Sequence, residues 1–151
     1  QWVNMDKHKL ARSYQPVLVE NGLAGNALKL GARNIVQAIE NLRVDSRAQW
    51  IFSGQHRNVK TEWPLTGLID GGAVSIIIDR CFTDDSGIRW IIDFKSGRHE
   101  QPDTGYFLEQ EKQRYFGQMN RYAAIANLLE PRETRLALYF PLLSEWIEWP
   151  A

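Results

Sequence analysis

The chain has 151 residues, 44% hydrophobic and 24% charged, with 18 basic residues matched by 18 acidic ones for a net charge of zero. That length suits one domain with a real core. No apolar run approaches the roughly 20 residues of a membrane span, and no basic stretch leads into a signal-type apolar segment.

Cys81 is the single cysteine. A disulfide framework, a four-cysteine iron–sulfur cluster and a CxxC zinc site are therefore excluded within the chain, and one unpaired thiol fits a reducing cytoplasm. The sequence opens at Gln1 and closes on Trp149-Pro150-Ala151, so it reads as a piece of a longer protein.

The first third reads as helical. Asp6 is placed to cap a short segment running to about Arg12, and Ser13 a second that ends at Gly22. Asn26 precedes a longer helix in which Leu28, Ala32, Ile35, Ala38, Ile39 and Leu42 recur at helical spacing. A short helix over Ser46–Phe52 is stopped by Gly54. The pattern then switches to strands. Val59 to Leu68 is the first, Asp70-Gly71-Gly72 a turn, and Ala73 to Thr83 the second. Asp84-Asp85-Ser86-Gly87 is another turn and Ile88 to Lys95 the third strand. The near-continuous apolar character of strands two and three predicts cover on both faces. A long amphipathic helix capped by Asp103 or Thr104 runs to about Leu129, where Pro131 ends it. Thr134 to Phe140 and a short Trp146–Trp149 segment read as closing strands. This order predicts an α/β fold with a mixed central sheet flanked by helices, as one domain with a helical part over 1–54 and a core over 55–151.

Chemistry concentrates in the middle of the chain. Asp79 ends Ile76-Ile77-Ile78-Asp79-Arg80, and Asp93 and Lys95 share one face of Ile91-Ile92-Asp93-Phe94-Lys95 because strand side chains alternate. A three-residue loop over Asp85-Ser86-Gly87, with Gly87 in the left-handed region, pairs Asp84 with Ile88, Phe82 with Trp90 and Asp79 with Asp93. Directly opposed carboxylates about 5 Å apart at Cβ repel each other unless a cation stands between them. Oxygen ligands of this kind favour Mg2+ or Mn2+. Glu62, on the first strand, is a third carboxylate within reach of such a site. Lys95 is placed to orient or help deprotonate a water and to stabilise phosphorane charge. The competing reading is a surface ion pair at strand ends.

Ile78-Asp79-Arg80, then Ile92-Asp93-Phe94-Lys95-Ser96-Gly97, then Gln118-Met119-Asn120-Arg121-Tyr122 together resemble the nuclease domain of the RecB/AddA family in the PD-(D/E)XK superfamily. The likeness extends over about Glu62 to Trp149. It implies a restriction-endonuclease-like core at the C-terminus of a UvrD-type helicase–nuclease, resembling the exonuclease V beta subunit. By position, Asp79 and Asp93 resemble its metal ligands, Glu62 its early acidic residue and Lys95 its catalytic lysine. Gln118 and Tyr122 resemble its helix motif beside the active site. The resemblance implies Mg2+-dependent DNA hydrolysis, as an exonuclease in double-strand-break repair and recombination in the bacterial cytoplasm. It implies as partners single-stranded DNA fed by a helicase region of the same polypeptide, and a second AddB/RecC-like subunit. The balanced charge agrees with a module held to its DNA by something else, since unaided duplex binders are usually more basic.

The chain departs from the family at the start of the domain. A histidine on an early helix is expected there, and His8 has surroundings that do not match. His56 and His99 read as surface histidines in loops. Ser96 and the arginines Arg80, Arg98, Arg114 and Arg121 are candidates for phosphate contact. A CRISPR-adaptation exonuclease would need four cysteines. The alternative from another class is a non-catalytic module that binds DNA or braces a helicase.

Overall fold

The computed structural model describes residues 7–69, 71–97 and 103–151, with side chains from residue 11 onward. The expected Asp6 cap, Asp70, Arg98 and His99 lie outside the described residues, as does the side chain of His8. The chain forms two compact units. One holds residues up to Phe52 together with Pro141–Ser144, and the other Ser53–Phe140 with Glu145–Ala151. The sequence placed the boundary at 54/55 within a single domain.

The first unit is helical. Where the sequence predicts two segments, α1 runs unbroken from Lys7 to Glu20 through Ser13 and Pro16. Proline removes one intrahelical donor, but the helix continues where neighbouring packing holds it, and α1 packs on α2 (Gly25–Val44). Gly22 ends α1 as expected, at φ 82. Its amide bonds to the Val19 carbonyl at 2.9 Å, and the Leu23 amide reaches back to Leu18 at 3.0 Å, the paired bonds of a Schellman stop. Leu18 and Leu23 then pack over Gly31, where a Cβ would stand 3.0 Å from Leu23 Cδ2.

Asn26 does not cap α2. The Leu28 amide already bonds to the Ala24 carbonyl at 3.3 Å, closing the first turn earlier in the chain. α3 (Ser46–Ile51) is capped by Asp45, whose side chain accepts from the Arg47 amide at 2.8 Å. Asn41 donates to the Pro141 and Leu142 carbonyls at 2.8 and 3.1 Å. These bonds attach a distant stretch of chain to α2, a contact no local pattern announces.

The second unit is α/β. It holds β1 (Arg57–Ile69), β2 (Gly72–Thr83), β3 (Arg89–Phe94), α4 (Thr104–Leu129), β4 (Thr134–Phe140) and β5 (Glu145–Pro150). The five strands form one sheet in sequence order, β1-β2-β3-β4-β5. All neighbours are antiparallel except β3 and β4, which are parallel because α4 carries the chain back across the sheet between them. This mixed sheet agrees, at a coarse level, with a restriction-endonuclease-like core.

Ile91 and Ile92 point to opposite faces, and both are fully buried, so β3 is covered on both sides. The same holds for β2 only from Ile78 onward. Its first half is open, with Ala73, Ser75 and Ile77 exposed. The physical reason is length: β2 meets β3 only from Arg80 to Thr83, and the rest of the β1–β2 hairpin extends past the sheet as a two-stranded ribbon.

α4 starts at the Asp103 cap, whose carboxylate accepts from the Tyr106 amide at 2.9 Å. It lies against β1 at Gly67, where a Cβ would come within 3.2 Å of Ile125 Cγ2. At its other end, the buried Arg89 donates to Asn127 Oδ1 and to the Glu130 carbonyl, both at 2.7 Å. Those bonds fasten the end of α4 to the first residue of β3.

The β2–β3 loop sets the register of the whole hairpin. Gly87 takes φ 83, the Asp84 amide bonds to the Ile88 carbonyl at 3.0 Å, and the Gly87 amide bonds to the Asp84 carbonyl at 3.1 Å. Asp84 also receives the Trp90 indole N–H at 2.8 Å. Since a Cβ at Gly87 meets open space, Gly87→Ala tests backbone strain alone. Left-handed backbone costs a residue with a Cβ about 1 kcal/mol. The urea midpoint of Gly87→Ala is expected to fall accordingly, and that of Gly87→Asn by less, because asparagine tolerates this region. Equal midpoints for wild type and Gly87→Ala would show that the loop does not need the glycine.

Candidate active site

Asp79 and Asp93 come from adjacent antiparallel strands. The ladder Thr83↔Arg89, Phe82↔Trp90, Cys81↔Ile91, Arg80↔Ile92 is the register expected from the three-residue loop, and it brings Asp79 to the level of Asp93 where regular pairing stops. There the Asp79 side chain takes over. Its Oδ2 accepts the Phe94 amide at 2.9 Å, so a carboxylate replaces the backbone partner that the next rung would have supplied. On its other side β3 continues in step with β4, the Lys95 amide bonding to the Tyr139 carbonyl at 2.9 Å.

Asp93 is buried at 5% exposure, and Lys95 folds back so that Nζ stands 2.7 Å from its Oδ2. Burial pushes the Asp93 carboxyl above its ordinary range. Lys95 opposes that shift by hydrogen bond and by charge, and the nearby Asp79 adds to it. Desolvation thus outweighs a close ion pair, as expected where a charge loses its water. Lys95 is held from the other side by Tyr115, whose ring centroid is 3.6 Å from Nζ, a cation–π contact.

α4 supplies the rest. Gln118 Nε2 donates to Tyr122 Oη at 2.7 Å and reaches Asp93 Oδ1 at 3.4 Å. The Tyr122 hydroxyl is raised above its ordinary value, by burial first and then by the charges of Asp93 and Asp79. Five of the six candidate residues therefore stand together: Asp79, Asp93, Lys95, Gln118 and Tyr122.

Glu62 is different. β1 carries it between the Thr61↔Arg80 and Trp63↔Ile78 pairs, level with Asp79, but its backbone is left-handed at φ 46 and it is exposed. Among the described residues no group of three or more His, Cys, Asp or Glu side chains stands together as a metal-holding cluster, so Glu62 does not join Asp79 and Asp93 in one.

The donor set still suits a hard cation. Two carboxylates, each with an oxygen outside the bonds to Phe94 and Lys95, match the way Mg2+ is bound by one or two carboxylates, with water and substrate phosphate completing its shell.

Tyr115 was not singled out by sequence reasoning. The signal was present, since Tyr115, Gln118 and Tyr122 fall at i, i+3 and i+7 on one helix face. The expected phosphate contacts divide. Arg80 is buried at 8% exposure and bonds to Thr61 Oγ1 at 3.3 Å, on the strand face opposite Asp79, so it does not line an open channel. Arg114, Arg121 and Ser96 are exposed, Arg114 near Glu111 at 3.5 Å. His56 is no free surface histidine: its ring stacks on Phe82 at 3.9 Å.

No protein-family sequence model matches this chain, and no curated protein sequence does. Among solved structures, the chain is similar to the crystal structure of SSO0001 with a TM-score of 0.41 and 20% identity, over 95% of this chain and 60% of that one. The chain thus spans 60% of the length of the structure it matches. A likeness of that size carries nothing about function, and the fold rests on the topology above.

A carboxyl whose folded value is raised favours the native state when protonated. Its stability contribution is complete below the unfolded carboxylate value and is lost as pH rises through the folded one. Lys95→Met removes the cation that opposes this shift. In metal-free buffer the 13C titration of the Asp93 carboxyl is expected to move to higher pH in Lys95→Met. A titration unchanged from wild type would mean that the 2.7 Å pair exerts no hold on Asp93.

Proposed function

We propose that the second unit is a metal-dependent DNA nuclease of the PD-(D/E)XK type, similar to RecB/AddA-family domains. The observation that carries it is the buried Asp93 beside Asp79, with Lys95 at 2.7 Å on one side and the Gln118–Tyr122 pair on the other. A surface ion pair would not be sunk into the centre of a sheet, where unpaired charge is costly.

In this reading Asp79 and Asp93 hold Mg2+ or Mn2+. Such an ion polarises a phosphodiester and lowers the pKa of a bound water. The chain's own residues do the positioning. Lys95, fixed between Asp93 and the Tyr115 ring, presents an ammonium to the developing charge on phosphorus. Gln118 and Tyr122 fix the orientation of Asp93 from the helix side. Glu62 does not cluster with these two, so Asp79 and Asp93 are the carboxylates that would hold the ion. Asp93→Ala and Lys95→Ala are each expected to lower Mg2+- or Mn2+-dependent DNA cleavage at least about a thousandfold, with the thermal unfolding transition retained. Wild-type cutting by folded Asp93→Ala protein would sink this mechanism, whereas a wild-type chain that binds no Mg2+ or Mn2+ would favour the alternative of a non-catalytic module bracing a helicase.

Delivery of DNA follows from charge. Non-specific affinity comes from cations that neutralise phosphate, and here 18 are matched by 18 acids. By its resemblance to RecB/AddA-family domains the chain acts on single strands fed by a helicase region of the same polypeptide, in double-strand-break repair and recombination in the bacterial cytoplasm, with a second AddB/RecC-like subunit as partner, and the balanced charge agrees with such a feed. Among the described residues no helix is long and apolar enough to cross a membrane. A tethered motor raises the local concentration of DNA, so weak intrinsic affinity suffices. Titrated with labelled single-stranded DNA in Ca2+ at physiological salt, the chain alone is expected to bind no more tightly than about micromolar. Nanomolar binding would overturn the feeding model.

A further inference from the structure

A concavity lies over the β1–β2–β3 part of the sheet, apart from the Asp93 group. It has a volume of about 300 Å³ and is lined by Asn58, Lys60, Trp63, Cys81, Thr83, Arg89 and Glu130. None of these belongs to the group around Asp93. A β-bulge shapes its rim. Between the Arg57↔Thr83 and Lys60↔Cys81 pairs, β1 takes one residue more than β2, and Asn58 there adopts φ 53. Bulges re-aim side chains and recur beside binding sites.

The electrostatics of the wall favour an anion. Cys81 is neutral at physiological pH, because burial pushes its thiol up to about 11. Glu130 is the single carboxylate in the lining, and it is already committed. Arg132 binds its Oε1, and Arg89 stands 3.4 Å from Oε2. These contacts, that to Arg132 first, hold its carboxyl below the ordinary range. Lys60 is exposed, and among the described residues no carboxylate pairs with it. The cavity therefore presents the Lys60 ammonium, with the paired guanidinium of Arg89 buried behind it. Beside them stand the amide of Asn58, the hydroxyl of Thr83 and the indole of Trp63.

We propose that this cavity binds a nucleoside monophosphate. Its volume is at the small end of ligand sites, roughly 300–1,000 Å³, which suits one nucleotide. Lys60 meets the phosphate, since an ammonium is a usual partner of a phosphomonoester, and Arg89, held by Asn127 and Glu130, adds positive charge behind it. Trp63 offers a flat aromatic partner for the base. Asn58 and Thr83 supply donors and acceptors for base edge or sugar. The site stands on its own lining and does not depend on whether the chain cuts DNA.

The test is a calorimetric titration of the whole chain with dAMP, deoxyadenosine and inorganic phosphate, in EDTA so that no metal is held at Asp79 and Asp93. Saturable dAMP binding is expected, tighter than that of either fragment. Lys60→Gln, an exposed position that leaves the core intact, should weaken dAMP at least about tenfold, the value of a lost charged hydrogen bond, and leave deoxyadenosine unchanged. Asp93→Asn should bind dAMP like wild type. Absence of saturable dAMP binding in the millimolar range would overturn the proposal, as would binding indifferent to Lys60→Gln. Phosphate alone binding as tightly as dAMP would reduce the cavity to a simple anion site and overturn the nucleotide assignment. An effect of Asp93→Asn in EDTA would move the nucleotide to the carboxylate pair, with the same result.

Discussion

A carboxylate moved out of water must be neutralised, paired or bound to a cation, and the second unit is organised around one such group. Asp93 stands on β3, the central strand of the sheet, with 5% of its surface exposed. Lys95, two residues on, returns over the same face to meet it, and Tyr115 closes over the lysine from α4. Asp79 adds a second negative charge next door and raises the cost further. Satisfied core polar groups rigidify a fold, whereas half-satisfied ones weaken it. Asp93 is met by Lys95 and Gln118, and Asp79 by the Phe94 amide, so each carboxylate has partners that hold it in place.

The neighbouring elements serve that placement. The loop at Gly87 fixes the register of β2 against β3, and a slip of one residue would turn Asp79 to the opposite face. The crossover through α4 makes β4 parallel to β3 and lays Tyr115, Gln118 and Tyr122 over the Asp93 face. Arg89 anchors the far end of the same helix. One helix thus meets the carboxylate pair through Gln118 and, near its end, the Arg89 side chain that lines the cavity.

Chemistry of this kind is local, and so is much of what the sequence announces. Turns written in Asp-Ser-Gly, the apolar runs of β2 and β3, the cap at Asp103 and the stop at Pro131 act over a few residues, and each leaves a local signature. The α/β class, the strand order along the chain and the shared face of Asp93 and Lys95 were legible for that reason. The pairing of Asp79 with Asp93 followed from one turn type and one glycine. Tyr115 lies on the face of Gln118 and Tyr122 but carries no signal of its own beyond that position, because periodicity does not tell a ring that packs from one that holds an ammonium.

Alternation on a strand, a hairpin register and a helix face are local, and the chain's residues carry them without reference to the rest of the fold. Only the tertiary structure decided which groups meet. It buried Asp93 while leaving Glu62 exposed on a strand that the sequence treats alike. It turned Arg80 into the sheet, stacked His56 on Phe82, and drew Pro141 and Leu142 to Asn41 in the helical unit. It also gathered Asn58, Lys60, Cys81, Arg89 and Glu130 around one cavity from four separate segments. The reason is the same in each case. Burial and long-range contact depend on how elements pack across the chain: Gln118 meets Asp93 from 25 residues away, and Asn41 meets Pro141 from 100.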